Sequence, residues 1–323
     1  MLGNYRDALG RAFIEMGNEF RDLVIVTADV SKSTQSIRFK QLFPDRFFSV
    51  GIAEQNAVGV AAGMATFGIP VIYTAYAMFA TAKPFEQVRN MVAYPRLNVK
   101  IVATHGGINV GEDGVTHQAI EDVAIMRAIP GMTVVAVADP GEVTAALRAA
   151  IQREGPVYLR LPRASSEIIH KDEGKLRFVI GKAETLREGS DVTLMAIGMM
   201  VHECLRAAES LAAERIQARV LNIRTVKPLD EEAVLAAARE TRGIVTAEDH
   251  NCMGGLGGAV AEVLVRNYPV PMEQVAVMDV FGRSGEARLL MKSYRLTAEE
   301  ICLKAKTVLQ RSQERSAHHR AVN

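Results

Sequence analysis

The sequence predicts an α/β fold built from two doubly wound domains with mostly parallel sheets. Three observations carry that expectation. Apolar runs of strand length alternate with longer segments of helical period, the alternation breaks once in a charged and irregular stretch, and it then resumes in the same style. A length of 323 residues leaves room for two cores of ordinary size.

The first element is a helix over residues 5–19, where Tyr5, Leu9, Phe13 and Met16 recur at helical spacing. Short β-rich runs at 23–27 and 47–50 predict strands, and the small apolar residues of 54–67 predict the helix that follows. A strand over 70–73, a helix over 84–93, a strand over 99–104 and a helix over 118–127 come next. A strand at 133–136, a helix at 141–153 and a strand at 157–161 close the first domain, residues 1–165. Residues 166–189, centred on Lys171-Asp172-Glu173-Gly174-Lys175, read as a linker crossing a surface. The second domain, 190–310, repeats the pattern with strands at 192–196, 218–222, 243–247 and 274–278 and helices at 202–213, 231–241 and 257–268. The last stretch, 311–323, lacks apolar periodicity and is read as a flexible tail.

Composition narrows the function classes. A net charge of +1, with 49% hydrophobic and 23% charged residues, describes a soluble globular protein with no basic surplus for nucleic acid. No apolar run reaches the ~20 residues of a membrane helix, and the opening Met1-Leu2-Gly3-Asn4-Tyr5-Arg6-Asp7 has no basic region followed by an apolar run. Three dispersed cysteines, Cys204, Cys252 and Cys302, match no disulfide framework or metal-ligand spacing, so no metal ligand is assigned on this chain and a reducing cytoplasm is the expected location.

Two segments point to chemistry. Residues 49–57, Ser-Val-Gly-Ile-Ala-Glu-Gln-Asn-Ala, put Glu54 between an apolar strand and an apolar helix. A carboxylate where burial is expected needs a partner or a proton, although a glutamate in a first helical turn also serves as a cap. Residues 104–118, Thr-His-Gly-Gly-Ile-Asn-Val-Gly-Glu-Asp-Gly-Val-Thr-His-Gln, follow a strand with four glycines, two histidines and two acids. Loops at strand carboxyl ends of open α/β sheets are where ligands bind. Imidazoles there can donate to and accept from hydroxyl or carbonyl groups.

The strand-Gly-Ile-x-Glu-x-x-Ala pattern resembles the cofactor-activating glutamate of thiamine diphosphate enzymes. The run Gly111-Glu112-Asp113-Gly114-x-Thr116-His117-Gln118 resembles transketolase. The resemblance implies that Glu54 meets a ring nitrogen of the aminopyrimidine, and that Tyr76 and Phe79 hold that ring, with Ala82 standing where many relatives have a third aromatic. It implies that Asp29 faces the cofactor, that His105 and Asp113 contact the donor sugar, and that His117 reaches the acceptor end. Arg6, Ser33 and Arg163 fall where the family binds the sugar phosphate, and His105 and His117 join Glu54 as the implied catalytic residues.

The family's Gly-Asp-Gly motif, which with a downstream Asn holds pyrophosphate and Mg2+ (or Ca2+), does not occur in this sequence. The resemblance therefore implies a carboxyl-terminal subunit of a split transketolase. It would act on sugar phosphates with thiamine diphosphate as cofactor, the pyrophosphate and metal being held mainly by a separate amino-terminal subunit, in an α2β2 heterotetramer formed through a β–β dimer. In the family the second domain carries no catalytic residue, so Glu248-Asp249-His250-Asn251 and Gly254-Gly255-Leu256-Gly257-Gly258 are read as packing and dimer architecture. The alternatives are a deoxyxylulose phosphate synthase-like or 2-oxo acid dehydrogenase β-like subunit, or a non-catalytic partner chain.

Overall fold

The structure, a computed structural model, describes residues 2–171 and 176–322; the acidic centre of the expected linker, Asp172 to Lys175, lies outside the described residues. The first domain is a seven-stranded sheet in the order Thr225–Lys227, Thr133–Ala136, Val157–Arg160, Val99–Thr104, Val71–Tyr76, Val24–Thr27 and Phe47–Ser49. All pairings are parallel except that of Thr225–Lys227, which comes from the second half of the sequence and runs antiparallel to Thr133–Ala136. Every residue of Val99–Thr104 is buried, as expected of a central parallel strand with helices on both faces. The second domain is a five-stranded sheet in the order Met272–Val277, Ile244–Asn251, Val192–Ala196, Ala218–Asn222 and Glu184–Arg187, with only the last antiparallel. A short antiparallel pair, Leu2–Asn4 with Ser165–Glu167, also ties the chain start to the end of the first domain.

The helix Tyr5–Glu19 has the expected bounds, and the Asn4 side chain caps it by accepting from the Arg6 and Asp7 amides. Elsewhere local period misleads. The expected helix over 84–93 is a single short turn, Phe85–Gln87, running into a π-helix, Val88–Ala93. The helix expected from Gln118 begins at Asp122, because Gln118 is buried with its amide donating to the Ile108 and Arg283 carbonyls and Ala119 bridges to Gly106. The strand expected to stop at Tyr73 continues to Tyr76, pairing Tyr76 with Thr104. The polar stretch after residue 310 is part of one helix, Ala298–Val322. Polar contacts seat it, with Arg311 on Glu273 at 2.6 Å and Arg315 on the Pro269 carbonyl at 2.9 Å. No helix among the described residues is long and apolar enough to cross a membrane.

Where the chain passes between the domains, five polar side chains form a largely buried network. His170 Nδ1 lies 2.6 Å from Asp139 Oδ1 and its Nε2 lies 2.9 Å from Glu184 Oε2. Arg224 donates to Glu142 and to Glu184, each at 2.6 Å. Asp139, Glu142 and His170 offer ligand atoms within 4.8 Å of one another, but the imidazole and guanidinium already satisfy those oxygens, so the group is an ion network. Burial works against a charged ring, yet the bonds to Asp139 and Glu184 and the charge of Glu142 outweigh it and hold the His170 pKa up at about 10. The folded value exceeds the unfolded one, so the stabilisation is complete below pH ~6.5 and is lost as pH rises through about 10. His170→Gln is expected to cost ~1–3 kcal/mol at pH 6 and a small fraction of that at pH 10.5, read from denaturant titrations. An equal cost at both pH values would refute the charged imidazole.

Candidate active site

Four parallel strands lie side by side, Val99–Thr104, Val71–Tyr76, Val24–Thr27 and Phe47–Ser49, so their carboxyl ends open along one edge. That edge is where an open α/β sheet takes a ligand. Two of its residues, Asp29 at φ 59° and His105 at φ 64°, hold the left-handed backbone that costs a side-chain-bearing residue ~1–3 kcal/mol. Such strain is kept only where the surroundings enforce it.

Glu54 opens the helix Glu54–Ala65 and is only 6% exposed. Its carboxylate accepts from Lys83 Nζ at 2.7 Å, a pair whose lysine is half exposed and whose glutamate is not. Beneath it the Tyr73 hydroxyl is buried with no partner, and burial together with the Glu54 charge pushes its pKa upward. The same Lys83 Nζ lies 5.4 Å from the centre of the Phe79 ring, which links Glu54 to a cluster of rings. Tyr76 stacks on Phe79 at 6.0 Å and meets His105 at 4.0 Å, and the His117 ring packs edge-on to Phe79 at 5.0 Å. The structure thus brings Glu54, Tyr76, Phe79, His105 and His117 into one wall.

His105 is buried, its Nδ1 lying 2.8 Å from the Thr104 hydroxyl. Burial first, then the charges of Arg163, Arg6 and His117, push its pKa down to about 3. It is a neutral imidazole at physiological pH. The half-buried His117 lies 2.9 Å from the Thr116 hydroxyl through Nδ1. Arg163 donates to the Val110 carbonyl at 2.7 Å and to Glu112 at 3.3 Å, and its Nε is 4.0 Å from Asp113. Arg6 keeps a buried Nε with no partner. Asp29 and Ser33 lie along the same edge, but no described side-chain contact joins them to the wall.

Three residues of this site went unforeseen. Lys83 gave no signal beyond one cation after two aromatics. Asn109 was one polar residue in a glycine loop, and Asp249 lay in a segment read as packing. The Asn109 amide donates to the Gly106 carbonyl at 2.8 Å and to Asp249 Oδ2 at 2.6 Å, and its oxygen accepts from the Arg163 and Ala164 amides at 3.0 and 3.2 Å. Asp249 Oδ1 accepts from the Ile108 amide at 2.8 Å.

Residues 3–167 match the pyrimidine-binding domain of transketolase, and residues 181–301 match the transketolase C-terminal domain. The chain is 47% identical to a putative transketolase C-terminal section from Methanocaldococcus jannaschii, over 92% of this chain and 93% of that one. It is 44% identical to a 6-deoxy-6-sulfo-D-fructose transketolase subunit from Clostridium sp. strain MSTE9, over 95% and 94%. A solved split-gene transketolase, described as an inactive β4 tetramer, superposes with a TM-score of 0.87 at 43% identity over 95% of this chain and 98% of that one. With both domains matched in order and these relatives covered almost end to end, the chain belongs to the transketolase family.

Proposed function

We propose that this chain is the pyrimidine-binding and C-terminal subunit of a two-chain, thiamine diphosphate-dependent transketolase. It would transfer a two-carbon ketol unit from a ketose phosphate to an aldose phosphate. The observation that carries the reading is the convergence of a buried carboxylate, two aromatic rings and two histidines at four adjacent strand ends.

The residues present fit the aminopyrimidine half of the cofactor. A flat heteroaromatic ring suits Tyr76 and Phe79, the buried Glu54 suits a ring nitrogen, and the cationic partner of that carboxylate, Lys83, is half exposed. Bound thiamine diphosphate supplies the nucleophilic carbon for ketol transfer. Glu54 would hold a proton at N1′ of the pyrimidine. His105, neutral and bonded through Nδ1, has its other nitrogen available to a sugar hydroxyl, and His117 would serve the acceptor end. The unpartnered Arg6 Nε and Arg163, whose charges both act on His105, suit the phosphate, and Ser33 would join them there. Asp113 would read a donor hydroxyl and Asp29 would border the cofactor.

The pyrophosphate and Mg2+ would be held mainly by an amino-terminal subunit, since no Gly-Asp-Gly occurs here. The solved β4 relative, described as inactive, supports a chain that waits for such a partner, and an α2β2 heterotetramer is the proposed assembly. The test mixes the chain with an amino-terminal transketolase subunit, thiamine diphosphate and Mg2+, offering xylulose 5-phosphate or pyruvate as donor. Ketol transfer from xylulose 5-phosphate only in the mixture is expected. Pyruvate consumption instead would move the chain to the deoxyxylulose phosphate synthase reading.

A further inference from the structure

The second domain reaches the 104–118 loop through the Arg283 carbonyl, which accepts from Gln118, and through one buried carboxylate, Asp249. Asp249 sits in the strand Ile244–Asn251, is 2% exposed, and binds residues 140 and 141 positions earlier in the chain. The fit leaves no slack: a Cβ on Gly107 would lie 2.1 Å from Asp249 Oδ2, and Gly107 has φ 91°. Asn109 is equally committed. Its two amide hydrogens face Gly106 and Asp249, and its oxygen faces the Arg163 and Ala164 amides, so the amide cannot flip without opposing donors to donors. Asn109 therefore joins three things at once: the backbone next to His105, the backbone of Arg163, and the second domain.

We propose that Asn109 and Asp249 are positioning residues through which the second domain fixes His105 and Arg163 in one geometry for the donor sugar phosphate. Among the described residues no hydrogen bond joins the pair to Glu54 or to the Tyr76–Phe79 rings; it reaches that wall through His105, which meets Tyr76 at 4.0 Å, so its larger effect falls on donor recognition. A loop displaced by about an ångström can cost ~10²-fold in catalytic efficiency. The second domain is then part of the donor site's frame as well as a packing element. This inference rests on His105 and Arg163 being substrate-binding groups.

Asp249→Asn is the sharpest test. It preserves shape and the acceptor for Ile108 but turns an amide toward the Asn109 amide. The reciprocal pair Asn109→Asp with Asp249→Asn restores an acceptor opposite a donor and keeps acceptors for Arg163 and Ala164, at the cost of the Gly106 bond, whose carbonyl then faces a carboxylate oxygen, so recovery is partial. In the two-subunit enzyme with cofactor and Mg2+, Asp249→Asn is expected to raise the KM for xylulose 5-phosphate ~10-fold or more. The dissociation constant of thiamine diphosphate should change less than twofold, and the double variant should recover at least threefold of the lost KM. In the subunit alone, amide hydrogen exchange of Ile108, Asn109 and Ala164 should quicken at least tenfold in Asp249→Asn while the strands Val99–Thr104 and Ile244–Asn251 keep their protection. Unchanged exchange at those three amides overturns the proposal, as does a parallel loss of cofactor affinity and of protection throughout. If no partner confers ketol transfer on the unaltered chain, the functional reading fails, while the exchange measurement still decides the geometry.

Discussion

Glu54→Gln is expected to lower turnover of the reconstituted two-subunit enzyme by roughly 10²–10⁴-fold, with the fold intact. The amide matches the carboxylate in shape but cannot hold a proton at a pyrimidine nitrogen as an acid can. Folding should be almost indifferent. The Lys83 partner is half exposed, and an ion pair with one end in water is worth ~0–1 kcal/mol. Far-UV circular dichroism and the melting temperature are expected to match those of the unaltered chain. Turnover within threefold of normal would remove Glu54 from the chemistry and return it to the role of a helix-start residue.

Arg160→Met carries the largest expected cost in stability, ~3–5 kcal/mol, because it strands a buried acid. Arg160 is 2% exposed and donates to Asp122 Oδ2 at 2.7 Å, to the Ala119 carbonyl at 3.2 Å and to the Asp249 carbonyl at 2.8 Å. The Asp122 side chain is fully buried, Tyr158 donates to the same oxygen at 2.5 Å, and its other oxygen has no partner. Without the guanidinium the carboxylate must ionise unpaired or take up a proton. Adding Asp122→Asn to Arg160→Met removes the charge while keeping an acceptor for Tyr158, and is expected to recover a good part of the loss in urea denaturation. A cost below ~1 kcal/mol for Arg160→Met, or no recovery in the pair, would show that this network contributes little.

Much of the fold was legible because the central strands are short, apolar and enclosed. Val99–Thr104 and Thr133–Ala136 have the bounds their runs suggest. What escaped depended on contacts from elsewhere. Gln118 has a helix-compatible sequence around it, yet its side chain is drawn to Arg283, 165 residues later. The strand Thr225–Lys227 has nothing local to assign it to the first sheet. The site divides in the same way. Glu54, Tyr76, Phe79, His105 and His117 stand on elements whose order and spacing place them at one sheet edge. Asn109 and Asp249 acquire meaning only when chain segments about 140 residues apart meet.

The strand Thr225–Lys227 leaves the second half of the chain to complete the edge of the first sheet. Cut at the linker, the first domain would present Thr133–Ala136 as a bare edge, the kind of surface that recruits foreign strands. The two domains are therefore separable as text but not as objects. In this chain the unit that folds, and the unit that a partner or an engineer must handle, is both domains together.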